Sequence, residues 1–202
     1  IVKILITGVA GFIGFSLAEK FLRKKYKIVG IDNYDKYYSV NLKKNRVNIL
    51  KKYENFKFYK IDIRNIKSLK KISKIKFNTI YHFAAQPGVR YSLINPKKYY
   101  QTNVKGFENL LHIIQNDNLK KVFYASSSSV YGDQKKFPIS ENSILKSKNP
   151  YGASKIINEN TANVYSKIFN IPFIGLRLFT VYGPWGRPDM FIIKLLKCLK
   201  NN

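Results

Sequence analysis

The apolar run Val2–Thr7 and the turn Gly8-Val9-Ala10-Gly11-Phe12-Ile13-Gly14 that follows it constrain this chain more than any other feature. A strand-length segment ends in glycines, and a segment of helical period, Phe12–Lys24, begins inside the turn. Glycine lets the backbone turn tightly and lets another group approach it closely, and a helix start offers unpaired amides to an anion such as a pyrophosphate. Two residues separate the first two glycines, unlike the G-x-G-x-x-G of the dinucleotide fingerprint. A second apolar run, Lys27–Asp32, ends in an acid 18 residues after Gly14. That is close to the roughly 20 at which a carboxylate reaches a ribose 2′-hydroxyl. The same carboxylate repels a 2′-phosphate, so the expected cofactor is NAD rather than NADP.

The alternation continues along the chain. Further strand-length runs lie at Phe56–Ile61, Thr79–Phe83, Lys121–Ser126 and Phe173–Leu178, each too apolar to leave one face in water. Helical segments are expected at Leu42–Tyr53, Asn65–Ser73, Pro96–Gln115 and Tyr151–Phe169, with Asn95 as a cap and Pro96 in the first turn. Strands alternating with helices predict an α/β fold with a doubly wound parallel sheet. Asp133–Asn149 reads as one long surface loop.

In open sheets ligands bind at the carboxyl ends of strands. Asp62 stands at such an end, and both an adenine partner and an ordinary strand-end cap fit it. Asn33 beside Asp32 and Ile63 beside Asp62 are grouped with them at the expected cofactor site. Phe83-Ala84-Ala85 follows the fourth run, where small residues let the backbone pass close to a cofactor.

Tyr151 and Lys155 are four apart, on one face of a helix, so the ammonium is expected to lower the phenol pKa and make it a base. The hydroxyl-rich run Ser126–Ser129 precedes them and supplies a hydrogen-bonding partner. His82 and His112 have no metal-ligand cluster around them and read as structural, with no metal expected.

The 37 Lys and Arg outweigh 11 Asp and Glu, a formal charge of +26. The lysines are scattered through every segment with no basic helix or nucleic-acid signature, so no specific nucleic-acid binding is expected. No window approaches the ~18 apolar residues of a membrane span, and the one cysteine, Cys198, permits no internal disulfide; a cytoplasmic protein is expected. The first residue is Ile1, and the last apolar segment, Met190–Leu199, is followed only by Lys200-Asn201-Asn202. Both ends predict a piece of a longer protein.

The combined motifs resemble the extended short-chain dehydrogenase/reductases, specifically the nucleotide-sugar epimerases and dehydratases, and within these the UDP-glucuronate 4-epimerases. The similarity to that subgroup rests on His82–Ser92, Asp32–Tyr38 and above all Leu178-Phe179-Thr180-Val181-Tyr182-Gly183-Pro184-Trp185-Gly186-Arg187-Pro188-Asp189-Met190. The resemblance implies a Rossmann-like NAD-binding domain over residues 1–178, with 179–202 as the start of a substrate domain whose greater part is missing. It also implies a homodimer at full length.

The implied chemistry is oxidation of a UDP-sugar at C4 and return of the hydrogen to the opposite face. Ser127, Tyr151 and Lys155 match the catalytic positions, Ser128 and Ser129 are candidates for a substrate carboxylate, and Asn103, Gln86, Arg90, Thr180 and Arg187 match positions lining the cofactor or sugar pocket. Superfamily members that dehydrate or decarboxylate usually carry an acid before Val-Tyr-Gly, whereas this chain has Ser129-Val130-Tyr131-Gly132, which favours epimerisation. A UDP-glucose/UDP-galactose 4-epimerase or another nucleotide-sugar short-chain dehydrogenase/reductase, and a non-catalytic basic module binding NAD or a polyanion, are the alternatives.

Overall fold

The computed structural model describes residues 2–114 and 118–200. Six strands, β1 (Lys3–Thr7), β2 (Lys27–Asp32), β3 (Phe56–Lys60), β4 (Thr79–His82), β5 (Lys121–Ala125) and β6 (Phe173–Leu176), form one parallel sheet in the order β3-β2-β1-β4-β5-β6. The chain winds outward from β1 to β3, crosses back to β4 on the other side of β1, and winds outward again to β6. Thr7 therefore pairs with Ile31 on one side and His82 on the other. The strand order reverses at this point, which opens a crevice at the carboxyl ends of β1 and β4.

Alternate residues of β1 feed two cores. Ile4 and Ile6 pack with Phe15, Ala18 and Leu22 of α1 (Phe12–Arg23) and Leu50 of α2 (Val40–Leu50). Leu5 packs with Ile31, Leu69 of α3 (Ile66–Leu69), and Phe107, Leu110 and Leu111 of a later helix, Gly106–Ile114. Each such aliphatic side chain contributes about 1.5–3 kcal/mol by leaving water, and β1 and β2 satisfy the expectation of burial on both faces, whereas β4 and β5 fully bury only alternate residues. The outer strands do not. No residue of β3 or β6 is fully buried, and Ile174 is 37% exposed, because each borders only one strand.

Helix boundaries depart from the sequence reading where a local cap or a tertiary contact decides them. The helix expected at Leu42–Tyr53 starts at Val40, where Ser39 accepts from the Leu42 amide at 3.3 Å. A short helix, α4 (Val89–Ile94), follows Gly88, whose φ of +101° suits glycine. The continuous helix expected over Pro96–Gln115 is α5 (Pro96–Tyr99), a π-helical turn (Tyr100–Lys105) and α6 (Gly106–Ile114); Gln115 lies outside the described residues. The widened turn holds Asn103, whose carbonyl accepts from Asn158 Nδ2 at 2.7 Å.

Helix α7 (Pro150–Phe169) is capped by Asn149, which accepts from the Gly152 amide at 2.9 Å, and ends at Asn170 in the left-handed conformation. The loop expected at Asp133–Asn149 has no helix or strand, and α8 (Phe191–Lys200) follows the Trp185 segment. Among the described residues no helix is long and apolar enough to cross a membrane.

Candidate active site

The glycine turn fits tightly against the start of β4's loop. Gly8, at φ +69°, donates its amide to Ile31 O at 2.8 Å, and a Cβ on it would lie 2.7 Å from the Ala84 amide nitrogen. A Cβ on Gly14 would lie 2.4 Å from Gly8 O. Thr7 Oγ1 accepts from the Ala84 amide at 3.1 Å and is 2.8 Å from His82 Nδ1. The backbone of Phe83 and Ala84 thus follows β4 against the glycine turn. Helix α1 begins at Phe12 and Ile13 with no side-chain cap on Gly11 and no acid in its first turn, so its amides are available to an anion. His82 is buried, stacked on Phe107, and burial drives its pKa down to about 3, so it is neutral and structural.

Asp32 ends β2 with one carboxylate oxygen accepting from the Ala10 amide at 3.1 Å and the other from the Tyr34 amide at 2.8 Å. Burial raises its pKa and these amides oppose the rise. Asp62 lines a cavity of about 930 Å³ and accepts from Asn33 Nδ2 at 3.1 Å and from the Arg64 guanidinium at 2.6 Å. It also accepts from the Arg64 amide at 2.9 Å, the strand-end cap that was one of its two readings. Ile63 turns into the core and its carbonyl takes a bond from Asn109. Asn103 and Gln86 are both buried; the Asn103 side chain bonds the Gln86 backbone, Gln86 N donating to Asn103 Oδ1 at 2.7 Å, while the Gln86 side-chain amide donates to Pro87 O at 3.2 Å. Asn103 also donates to Ser154 Oγ at 2.9 Å, on α7.

On the other side of the crevice, α7 carries Tyr151 and Lys155 under the serine turn. Ser127 is 7% exposed, its hydroxyl pulls the Tyr151 phenol pKa down, and its Oγ accepts from the Ser129 amide at 3.1 Å. The Ser128 amide donates to Leu178 O at 3.0 Å, tying the turn to the segment after β6. Lys155, 2% exposed, gives its ammonium to Ala125 O at 2.8 Å, and the nitrogen is 5.9 Å from the Tyr151 ring centroid.

The electrostatics differ from the helix-face expectation. Burial raises the Tyr151 phenol pKa, and the groups that pull it down are the Ser127 hydroxyl and the Arg187 guanidinium rather than Lys155. Burial lowers Lys155 itself to about 8. Position i+4 placed the lysine beneath the ring, but the carbonyl at the end of β5 takes its nitrogen.

Arg187 reaches this cluster from the Trp185 segment. Its guanidinium holds Asp189 in two bonds, at 3.1 and 2.5 Å, and lies 5.7 Å from the Tyr37 ring centroid. Thr180 is exposed and shares a small cleft with Arg187 and Met190. Arg90 stands exposed on α4 and is not drawn into the cluster by any described hydrogen bond or ion pair. The structure therefore gathers Ser127, Tyr151, Lys155 and Arg187 at the carboxyl edge and leaves Arg90 outside. A phenol with a hydroxyl and a cation beside it is an arrangement that can take up and return a proton.

Two further groups escaped the sequence reading. Glu159 on α7 accepts from Ser126 Oγ at 2.5 Å and is gripped by both ends of the Arg177 guanidinium at 2.9 Å. Arg46 of α2 is fully buried and bonds the glycine turn, Tyr38 and the Trp185 segment. A signal for both existed. The chain has six arginines among 37 basic residues, and four of them, Arg46, Arg64, Arg177 and Arg187, bond through two or more nitrogens of the fork.

An open doubly wound sheet with a glycine turn at its reversal and a Ser–Tyr–Lys cluster across the crevice defines a protein of the extended short-chain dehydrogenase/reductase class. The chain belongs to the family described as GDP-mannose 4,6 dehydratase, whose model matches residues 5–201. Among curated relatives, Protein CapI of Staphylococcus aureus is 45% identical over 99% of this chain and 60% of its own length. The UDP-glucuronate 4-epimerase of Thermodesulfobacterium geofontis is 42% identical over 96% of this chain and 60% of its own. The crystal structure of the Bacillus cereus UDP-glucuronic acid 4-epimerase in complex with UDP-glucuronic acid and NAD superposes with a TM-score of 0.91 at 37% identity, covering 99% of this chain and 63% of that one. The chain thus spans about three fifths of the length of these relatives.

Proposed function

We propose that the protein at its full length is an NAD-dependent UDP-sugar 4-epimerase that interconverts UDP-glucuronate and UDP-galacturonate. In this reading residues 1–178 hold the cofactor and 179–202 begin the substrate portion. The observation that carries the proposal is the convergence of Ser127, Tyr151 and Arg187 beside Lys155 at the sheet reversal. The glycine turn fits a dinucleotide: a Cβ at Gly8 or Gly14 would meet backbone, and the first amides of α1 suit the diphosphate. Asp32 accepts from the 2′-hydroxyl of the adenosine ribose and disfavours a 2′-phosphate. Asn33 and Asp62, which line the neighbouring cavity, border the adenine.

NAD supplies a hydride acceptor for C4 and, in the second half of the cycle, the donor. Tyr151 Oη takes the proton of the C4 hydroxyl and later returns it to the 4-keto sugar after the sugar has turned over. Ser127 hydrogen-bonds the same oxygen. Lys155 lies beneath Tyr151 with its cation held by Ala125 O, and Arg187 lowers the phenol pKa from the far side.

The uronate is favoured over a neutral sugar by Arg187. Its Nε and one terminal nitrogen hold Asp189, which leaves the second terminal nitrogen to donate to a substrate carboxylate. Ser128, Ser129 and Thr180 offer hydroxyls to the remaining lone pairs. Oxidation at C4 of a uronate creates a β-keto acid, which loses carbon dioxide if its carboxylate aligns with the carbonyl, and a firm grip prevents that rotation.

Arg187→Ala is expected to lower kcat/KM for UDP-glucuronate roughly tenfold or more, the scale of a lost charge-assisted bond. It should affect residual use of UDP-glucose less and release some UDP-4-keto-pentose. Product analysis of wild type and variant on both sugars is the check. A wild-type preference for UDP-galactose would favour the neutral-sugar epimerase instead.

A further inference from the structure

Arg46 is the most heavily engaged side chain that the proposed chemistry does not use. It is 0% exposed, and its guanidinium donates to Ala10 O at 2.9 Å, inside the glycine turn, and to Tyr38 Oη at 2.9 Å. Its other terminal nitrogen donates to Trp185 O at 2.5 Å and lies 3.5 Å from Gly186 O. The two ends of the fork therefore join the glycine turn at Ala10 to the segment at Trp185, which lie 36 residues before and 139 residues after Arg46 in sequence, and neither end meets a carboxylate among the described residues.

Three costs coincide at this junction. A charge is buried without an ion-pair partner, Arg46 Nε is buried with no hydrogen bond, and Trp185 sits at φ +63°, a conformation unfavourable for a residue with a side chain. Filling space needs none of these, since an apolar side chain packs without them. Local rules are broken where a position must be held for function. The Trp185 ring also meets Phe15 of α1 edge-on at 5.6 Å, so the segment docks on the glycine turn from two directions.

We infer that Arg46 is a positioning residue that fastens the Trp185–Arg187 segment to the glycine turn, and thereby sets the place of the Arg187 guanidinium beside Tyr151. The inference rests on the proposed function for its enzymatic consequence, but the latch itself is a property of the fold. It links the wall that carries the cofactor's diphosphate to the residue that faces the sugar.

Trp185 is the one tryptophan of this chain and reports on the latch directly. Acrylamide quenching of its fluorescence is measured for wild type, Arg46→Met and Arg46→Lys, below the melting temperature of each. In Arg46→Met the quenching constant is expected to rise roughly twofold, as a ring now 42% exposed joins a loop moving on the ns–μs scale. Arg46→Lys, which keeps the charge but has one nitrogen in place of two, should fall between, and it decides the matter if Arg46→Met does not fold. Equal quenching in wild type and Arg46→Lys would overturn the latch.

At full length, Arg46→Lys should raise the KM for UDP-glucuronate roughly tenfold, the scale of a misplaced positioning group, with a smaller change in kcat and NAD still bound. A fall in kcat alone would contradict the inference. Failure of the wild type to bind NAD in calorimetry would instead strike the proposed function, and the quenching comparison would still decide the latch.

Discussion

Tyr151→Phe is expected to lower turnover of the full-length protein by roughly 10²-fold or more, the usual range for removing a general acid–base, while NAD binding measured by calorimetry stays close to wild type. The substitution deletes one oxygen and leaves the ring, which meets Tyr99 edge-on with centroids 6.0 Å apart. Helix α7 keeps its Asn149 cap, and Lys155 keeps its bond to Ala125 O. The lost function is then the proton shuttle alone. Wild-type-like turnover would remove Tyr151 from the mechanism, and loss of NAD binding would reassign the phenol to the cofactor site.

The second large effect concerns stability. Glu159→Gln is expected to destabilise the fold by roughly 3 kcal/mol, because it strips the Arg177 guanidinium, only 22% exposed, of its carboxylate. For a domain of this size that lowers the melting temperature by about 6–12 °C. The pair joins α7 to the strand end beyond β6, and Arg177 also bonds Tyr131 Oη at 3.1 Å and Glu141 O at 2.7 Å, so an unpaired guanidinium loosens three segments. The exposed pair Arg23–Glu19 is the control: Arg23 is 69% exposed, and Glu19→Gln should leave the melting temperature close to that of the wild type. Calorimetric melting of the two variants side by side checks this, and equal shifts would refute the distinction.

The strands were legible because burial demands long apolar runs: β2 was read to the residue, and the others within one or two at either end. Glycine spacing located the turn at the sheet reversal, since a Cβ at Gly8 or Gly14 collides with backbone in a way no neighbour can relieve. What the sequence hid is what tertiary contacts decide. The π-helical turn at Tyr100–Lys105 holds Asn103 toward Gln86, Ser154 and Asn158, partners 17 to 55 residues away. Burial of β3 and β6 on both faces failed because edge position depends on strand order rather than composition. The lysine's effect on the phenol was misjudged because spacing on a helix gives proximity but not the competing acceptor, here Ala125 O. Arg46 sits in the lysine-rich stretch Leu42-Lys43-Lys44-Asn45-Arg46, where composition alone does not tell the buried cation from its exposed neighbour Lys44.

The central claim is that the hydrogen on C4 leaves the sugar and returns to the same carbon within one bound complex. The most direct measurement is incubation of the full-length protein with UDP-glucuronate carrying deuterium at C4, followed by mass and NMR analysis of the product. The account predicts UDP-galacturonate with the deuterium retained at C4 and no net reduction of added NAD. Loss of the label to solvent, or recovery of UDP-glucuronate unchanged alongside active conversion of UDP-galactose, would contradict it.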